Sequence, residues 1–276
     1  MRFKYSSGFT LVEMVIVIVV LGILSAGSVI FISQSAQGLV DSSARQQMAS
    51  TASIAIEKIL REVRRALPNS ARTFTDSGNT CLEFVPINFS SDYISVPTAA
   101  AAASFDAIEF PGASLGGENG FVAVYPGNTD LVYGTNGVTV RAISNNTATA
   151  SATGIPQAGM QTITFDTAGN YRFPSDSPNK RFFLVSTPVA FCDDNNGRLW
   201  RYENYGFQTT AGTGIPTSGT NRRLIADSLA ANSLAFNITP MQLYRNAVVR
   251  VSLAIQRPDG TERIDLTQEV QLRNVP

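Results

Sequence analysis

The 276-residue chain contains no histidine, and this absence limits the chemistry open to it. A Ser-His-Asp triad needs an imidazole as its base, so the chain cannot build one. Lysine is scarce as well, since Lys58 and Lys180 are the only ones after Lys4. Residues 112–116 fit the G-x-S-x-G pattern of esterases, but their neighbours suit a loop, not the strand–turn–helix that this motif needs. We therefore predict that the protein is not an enzyme. The absence of a P-loop, a dinucleotide-binding glycine motif and a zinc-type cluster predicts no cofactor and no metal.

A net charge of one sign is also lacking, because 21 basic and 21 acidic residues balance. Such a chain has no strong field for nucleic acid or anionic lipid. The local basic cluster Arg61, Arg64 and Arg65 could contact DNA. The alternative is a solvated helix face in which these cations alternate with Glu57 and Glu62. We favour the second interpretation and predict no nucleic-acid partner.

Cysteine is limited to Cys81 and Cys192. In an oxidising compartment such as the periplasm, an even pair suggests a disulfide. The alternative is two buried free thiols. We predict the Cys81–Cys192 bond.

The polar run Asp193–Gly197 could offer several oxygen ligands to Ca²⁺. No bidentate glutamate follows at EF-hand spacing. A solvated turn is therefore the preferred interpretation of this run.

What the chain does have is a long apolar run close to its start. The 19 residues from Met14 to Ile32 carry no charge and are enough to cross a bilayer as a helix. Arg2 and Lys4 precede the run, and Asp41 is the first charge after it. This asymmetry predicts a cytoplasmic N-terminus, with the rest of the chain on the outer side of the inner membrane. The run is too long for an ordinary secretory signal, and no small-x-small cleavage site follows it.

The residues around the start of this run form a recognisable pattern of Gly8, Phe9, Thr10, Leu11 and Glu13. This pattern resembles the class III signal peptide of type IV pilins and type II secretion pseudopilins. The resemblance implies that a prepilin peptidase cuts after Gly8 and that Phe9 becomes the N-methylated N-terminus. It also implies that Glu13, a carboxylate in an apolar run, is the assembly charge that pairs with the N-terminal amine of a neighbouring subunit. The expected partners are that peptidase, other major and minor pilins, and the inner-membrane assembly machinery.

Helical periodicity continues beyond the apolar run, with apolar residues three and four apart as far as Leu67. Glu57–Arg61 and Lys58–Glu62 have the i,i+4 spacing of ion pairs on the outer face of a helix. Pro68 predicts the end of the helix, because proline cannot continue the hydrogen-bond ladder. A helix over residues 9–67 would be about 88 Å long. We divide the chain into a leader (1–8), a transmembrane half of the stalk helix (9–32), an amphipathic half (33–67) and a periplasmic head (68–276).

The predicted head is a mostly antiparallel β domain, which makes the fold class α+β. Short apolar or alternating runs between turn signals predict its strands. These runs are 81–85, 105–110, 121–125, 138–143, 162–165, 182–187, 199–205, 234–238, 248–256 and 263–273. The clearest hairpin is the last, in which Pro258-Asp259-Gly260 turns the chain. The polar segments 99–104, 144–154 and 206–221 are predicted loops.

Further resemblance lies in the head. The last eight residues, 269–276, are similar to the C-terminal strand of J-type minor pilins and pseudopilins. Residues 187–192 and 197–202 resemble minor pilins of the mannose-sensitive haemagglutinin (MSHA) pilus. The implied function is that of a minor pilin that assembles into a type IV pilus, or primes or tips it, and supports adhesion. The alternatives are a J-type pseudopilin of a type II secretion system and, from another class, a membrane-anchored adhesin whose β domain binds a glycan.

Overall fold

The computed structural model describes residues 8–76, 78–108, 119–151, 159–166, 169–240 and 246–272. The leader residues 1–7, the esterase-like segment 112–116 and the C-terminal residues 273–276 lie outside these ranges. The chain divides into two compact units, Met1–Ala49 and Ser50–Pro276. A long helix followed by mostly antiparallel sheets gives an α+β layout, which confirms the predicted fold class.

Helix α1 spans Leu11–Val63 and so ends four residues before the predicted end at Leu67. The physical reason is tertiary. The amide of Ala66 bonds the carbonyl of Val63 in a tighter turn, and Ala66 then forms a β-bridge with Pro86. The amide of Leu67 donates to the carbonyl of Val85 at 2.7 Å, so these residues belong to the sheet region before Pro68 is reached.

Fourteen strands and one short helix follow α1 in the described residues. In chain order they are β1 Arg72–Asp76, β2 Asn79–Phe84, β3 Ile87–Asp92, β4 Ser104–Ile108, β5 Asn119–Val124, α2 Thr129–Tyr133, β6 Ile143–Ser151, β7 Met160–Phe165, β8 Arg181–Val185, β9 Val189–Asp193, β10 Leu199–Tyr202, β11 Arg222–Ala226, β12 Ala235–Thr239, β13 Ala247–Gln256 and β14 Arg263–Leu272.

The strands form three antiparallel sheets. The first has the order β1-β2-β9-β10-β11, the second β3-β8-β5-β6-β7-β4 and the third β12-β13-β14. The whole six-stranded sheet is inserted in the chain between β2 and β9, which are themselves hydrogen-bonded neighbours. The predicted C-terminal hairpin is confirmed as β13–β14, with ten directly opposed residue pairs.

The six-stranded sheet curls so that its two edge strands approach each other. Tyr93, directly after β3, forms an antiparallel bridge with Ala107 of β4. The amide of Ile94 donates to the carbonyl of Asp106 at 3.1 Å. The enclosed core is rich in aromatic rings, among them Phe105 and Phe182, whose edge-to-face contact has a centroid distance of 5.4 Å. Edge-to-face ring pairs of this kind add to the stability that area burial provides.

Two adjoining predictions in this sheet are wrong. Strand β6 covers residues 144–151 of the predicted loop 144–154, and residues 138–142 of the predicted strand 138–143 are irregular backbone with bends. The polar strand β6 is stabilised by the carboxylate of Asp166, which accepts hydrogen bonds from the hydroxyls of Thr147 (2.7 Å) and Thr149 (2.9 Å). Asn136 and Gly137 adopt positive φ angles, which turn the chain directly before the residues where a strand had been expected.

Candidate processing and assembly site

The first part of α1 exposes its large apolar side chains on all sides. They are Leu11, Val12, Met14, Val15, Ile16, Val17, Ile18, Val19, Val20, Leu21, Ile23, Leu24, Val29, Ile30, Phe31, Ile32, Leu39 and Val40. α1 is the one helix in the described ranges that is long and apolar enough to span a membrane, and none of its most apolar window is buried. An apolar surface of this extent needs lipid or other apolar helices around it.

Thr10 begins the helix as its N-cap. Its hydroxyl accepts a hydrogen bond from the amide of Glu13 at 3.3 Å, and its carbonyl accepts the amide of Met14 at 3.2 Å. Thr10-Leu11-Val12-Glu13 thus has the spacing of a capping box, in which the acid at the third helical position assists the N-terminus. This capping-box spacing was not identified from the sequence. A carboxylate in the first turn is also favoured by the helix dipole.

Gly8 and Phe9 directly precede this cap. Phe9 is 76% exposed, and a Cβ atom built on Gly8 would meet no atom within 4 Å. Packing in the described residues therefore does not require glycine at position 8.

Comparison with known proteins bears on this same segment. Residues 3–29 match the family model described as the prokaryotic N-terminal methylation motif. The chain therefore carries the class III signal-peptide motif of type IV pilin-like proteins, and the match includes Gly8, Phe9 and Glu13. No curated protein and no solved structure matches the chain significantly.

The second part of α1 is amphipathic, and its buried face is Ala52, Ala55, Ile56, Ile59, Leu60 and Val63. Glu57 and Arg61 form the predicted i,i+4 ion pair at 3.0 Å on the exposed face. Glu62 instead bonds Arg201 of β10 at 2.7 Å, so its predicted place on the outer face beside Lys58 is wrong. Arg201 also pairs with Glu203, and the two carboxylates together compensate its partly buried charge.

The basic cluster at the end of α1 serves the fold in this structure. Arg61 pairs with Glu57, and the guanidinium of Arg65 donates to the carbonyl of Ile87 at 3.2 Å. These contacts favour the interpretation of the cluster as a structural and solvated face. They give no support to a DNA-binding surface.

Cys81 and Cys192 form a disulfide that closes a segment with a sequence separation of 111. Both residues are fully buried, and the β2–β9 register places them directly opposite each other, with a Cα–Cα distance of 4.6 Å. The bond therefore lies at the base of the inserted six-stranded sheet. It links the strand that leads into the insertion to the strand that leads out of it.

A buried ionic network next to the disulfide was not predicted. Glu83 is completely buried, pairs with Arg72 and accepts the hydroxyl of Tyr205 at 2.9 Å. Arg72 also donates to the carbonyl of Gln208 (2.8 Å) and stacks 3.5 Å from the ring centroid of Tyr133. Burial raises the pKa of Tyr133 and of Tyr205 far above the ordinary value for tyrosine, so both side chains remain neutral. The network holds residues 205–209 of the long β10–β11 loop against the sheet.

The calcium candidate Asp193–Gly197 forms the β9–β10 turn beside a polar cleft of about 720 Å³. Asp194 accepts hydrogen bonds from the amides of Asn196 and Arg198 and from the indole of Trp200. Asp193 is only 3% exposed, so the prediction of a solvated turn is wrong for this residue. Desolvation raises the pKa of its carboxyl. The described ranges hold no group of three or more His, Cys, Asp or Glu that could bind a metal. The carboxylates shape the turn.

Proposed function

We propose that the protein is a minor pilin of a type IV pilus. The observation that carries this proposal is the methylation motif at residues 3–29, which overlaps the exposed apolar half of helix α1. In this proposal the precursor lies in the inner membrane with its N-terminus in the cytoplasm. A prepilin peptidase cuts after Gly8 and methylates Phe9, and the mature subunit enters the fibre or its tip complex.

We further infer that the pilus is of the MSHA kind and that the chain is similar to the J-type minor pilin MshO. The support is the resemblance of residues 187–192 and 197–202 to that protein. The subunit would then support pilus biogenesis and surface adhesion, together with other pilins and the inner-membrane assembly machinery. A J-type pseudopilin of a type II secretion system is the alternative within the same class, and the set of pilin-like chains that co-purifies from membranes distinguishes the two.

Glu13 would be the assembly charge in this function. After cleavage, a neighbouring subunit would present a cationic amine at its Phe9, and pairing of the two charges would lower the cost of placing each in an apolar environment. The carboxylate has a local alternative, the capping box described above. The proposed pairing requires a negative charge, whereas a capping box accepts glutamine as well as glutamate.

The experiment compares Glu13→Gln and Glu13→Val with Glu57→Val, which removes a carboxylate of the same helix outside the apolar segment. We expect all three variants to be cleaved and to reach the membrane. We also expect both Glu13 variants to fall about tenfold or more in the sheared pilus fraction, while Glu57→Val is retained. Wild-type incorporation of Glu13→Gln would show that the charge has no assembly role. A Glu13→Val variant that is not cleaved would place the residue in processing.

A further inference from the structure

Strand β14 is an edge strand with ten residues, and it pairs with β13 on one side only. The amide of Arg257 donates to the carbonyl of Glu262 at 2.9 Å, so Arg257 and Glu262 are a hydrogen-bonded pair, and every second pair along β13–β14 is hydrogen-bonded in the same way. Even-numbered residues of β14 therefore direct their backbone groups to β13, and odd-numbered ones direct theirs outward. The outward set is Arg263, Asp265, Thr267, Glu269 and Gln271, all of which are exposed. No strand in the described ranges adds to this edge.

We propose that β14 is an interaction edge for a second copy of this chain, with the two β14 strands antiparallel and Leu266 opposite Leu266. The charges of the strand select this occupant and this register. Arg263 then faces Glu269 of the second copy, and the two-fold symmetry repeats the pair. A shift of the partner strand by two residues either way places Asp265 opposite its own copy or opposite Glu269, and like charges directly opposite are destabilising.

The existing ion pairs extend this complementarity. Glu269 bonds Arg250 of β13 through its Oε1 atom at 2.6 Å, and Arg263 bonds Asp265 on its own strand at 3.0 Å. In the proposed register these pairs meet end to end. A row of four charges then crosses the interface. Arg250 and Glu269 come from one copy and Arg263 and Asp265 from the other, and each charge lies beside one of opposite sign.

Backbone geometry and burial agree with the same register. Outward-directed odd residues face odd residues, so residues 263–269 of the two copies can form about eight backbone hydrogen bonds. Even residues face even residues on the opposite side of the joined sheet. Ile264 and Leu266, which are only half-buried in one chain, become covered by the second strand. Isologous pairing of this kind closes, so it produces a dimer and no fibre. The inference does not depend on the proposed pilus function.

Cysteine cross-linking of the full chain in detergent micelles tests the pairing. In the proposed register the Cα atoms of the two Leu266 residues lie about 4.5 Å apart, within the range of a disulfide. The native Cys81–Cys192 bond joins directly opposed strand residues at a similar 4.6 Å. We expect Leu266→Cys to form a disulfide-linked dimer under mild oxidation. The control Gln271→Cys lies on the same edge but about 30 Å from its copy, so it should remain monomeric.

A charge reversal tests the register. Arg263→Glu in the Leu266→Cys background places a carboxylate opposite Glu269 of the second copy and should lower the dimer yield about tenfold, whereas Arg263→Lys keeps the positive charge and should retain the dimer. An intact Cys81–Cys192 bond and unchanged circular dichroism show that each variant is folded. The proposal is wrong if Leu266→Cys remains monomeric, if Gln271→Cys cross-links equally, or if Arg263→Glu leaves the dimer yield unchanged. Cross-linking of Leu266→Cys to a different chain in membranes would also contradict it.

Discussion

Removal of the Cys81–Cys192 bond should strongly destabilise the head. The bond closes a loop of about 110 residues at the base of the inserted sheet. The chain-entropy relation assigns roughly 4–5 kcal/mol to a loop of that length. For a domain of about 200 residues, each kcal/mol shifts the melting temperature by about 2–4 °C, so a fall on the order of 10–20 °C is expected.

The assay is thermal unfolding of the full chain in detergent, followed by near-ultraviolet circular dichroism. The matched comparison is the wild-type chain itself, unfolded with reductant and refolded in the continued presence of reductant, so that both thiols stay free and no side chain is replaced. Since both cysteines are fully buried, reductant added to the folded protein should leave the bond intact. A fall below about 3 °C after complete reduction would refute the argument that loop closure constrains the unfolded chain.

Two further substitutions in the head are expected to change the free energy of unfolding in opposite directions. Glu83→Gln leaves the guanidinium of Arg72 with only neutral partners in its buried network and should lower the unfolding free energy by about 3–5 kcal/mol. The double variant Arg72→Met/Glu83→Gln removes both charges and should cost less. Equal losses of the two variants in chemical denaturation would contradict the interpretation of Arg72–Glu83 as a buried ion pair. Asp193→Asn should raise stability at neutral pH. Desolvation raises the pKa of this carboxyl in the folded state, so wild-type stability falls as pH rises between the unfolded and folded pKa values. The gain should therefore shrink as pH is lowered through that window, and a gain independent of pH would exclude titration of Asp193 as its cause.

The sequence predicts features of this fold where one physical signal dominates. The exposed apolar half of α1 follows from composition alone, and the β13–β14 hairpin follows from strict alternation around Pro258-Asp259-Gly260. Strand β9 was missed because both of its faces are buried, which removes the alternation on which strand prediction depends. Strand β6 was predicted as a loop because its serine and asparagine residues are typical of loops. The carboxylate of Asp166, which accepts hydrogen bonds from its two threonines, comes from another segment.

The candidate site shows the same division. Gly8, Phe9 and Glu13 are local in sequence and could be identified from spacing. The cysteine pair could be predicted by counting, although only the fold shows that the bond brackets an inserted sheet. The Arg72–Glu83–Tyr205 network depends on contacts between residues far apart in the chain, and no local sequence pattern predicts it.

The most direct test of the account is the mass of the N-terminal peptide of the protein isolated from membranes of cells with an active prepilin peptidase. We expect a mature chain that begins at Phe9, lacks residues 1–8 and carries one added methyl group on the new amine. A Gly8→Val precursor should retain its leader in the same cells, because the peptidase must approach the backbone at position 8. A wild-type chain that still begins at Met1 would contradict the assignment of this segment as a processed pilin signal.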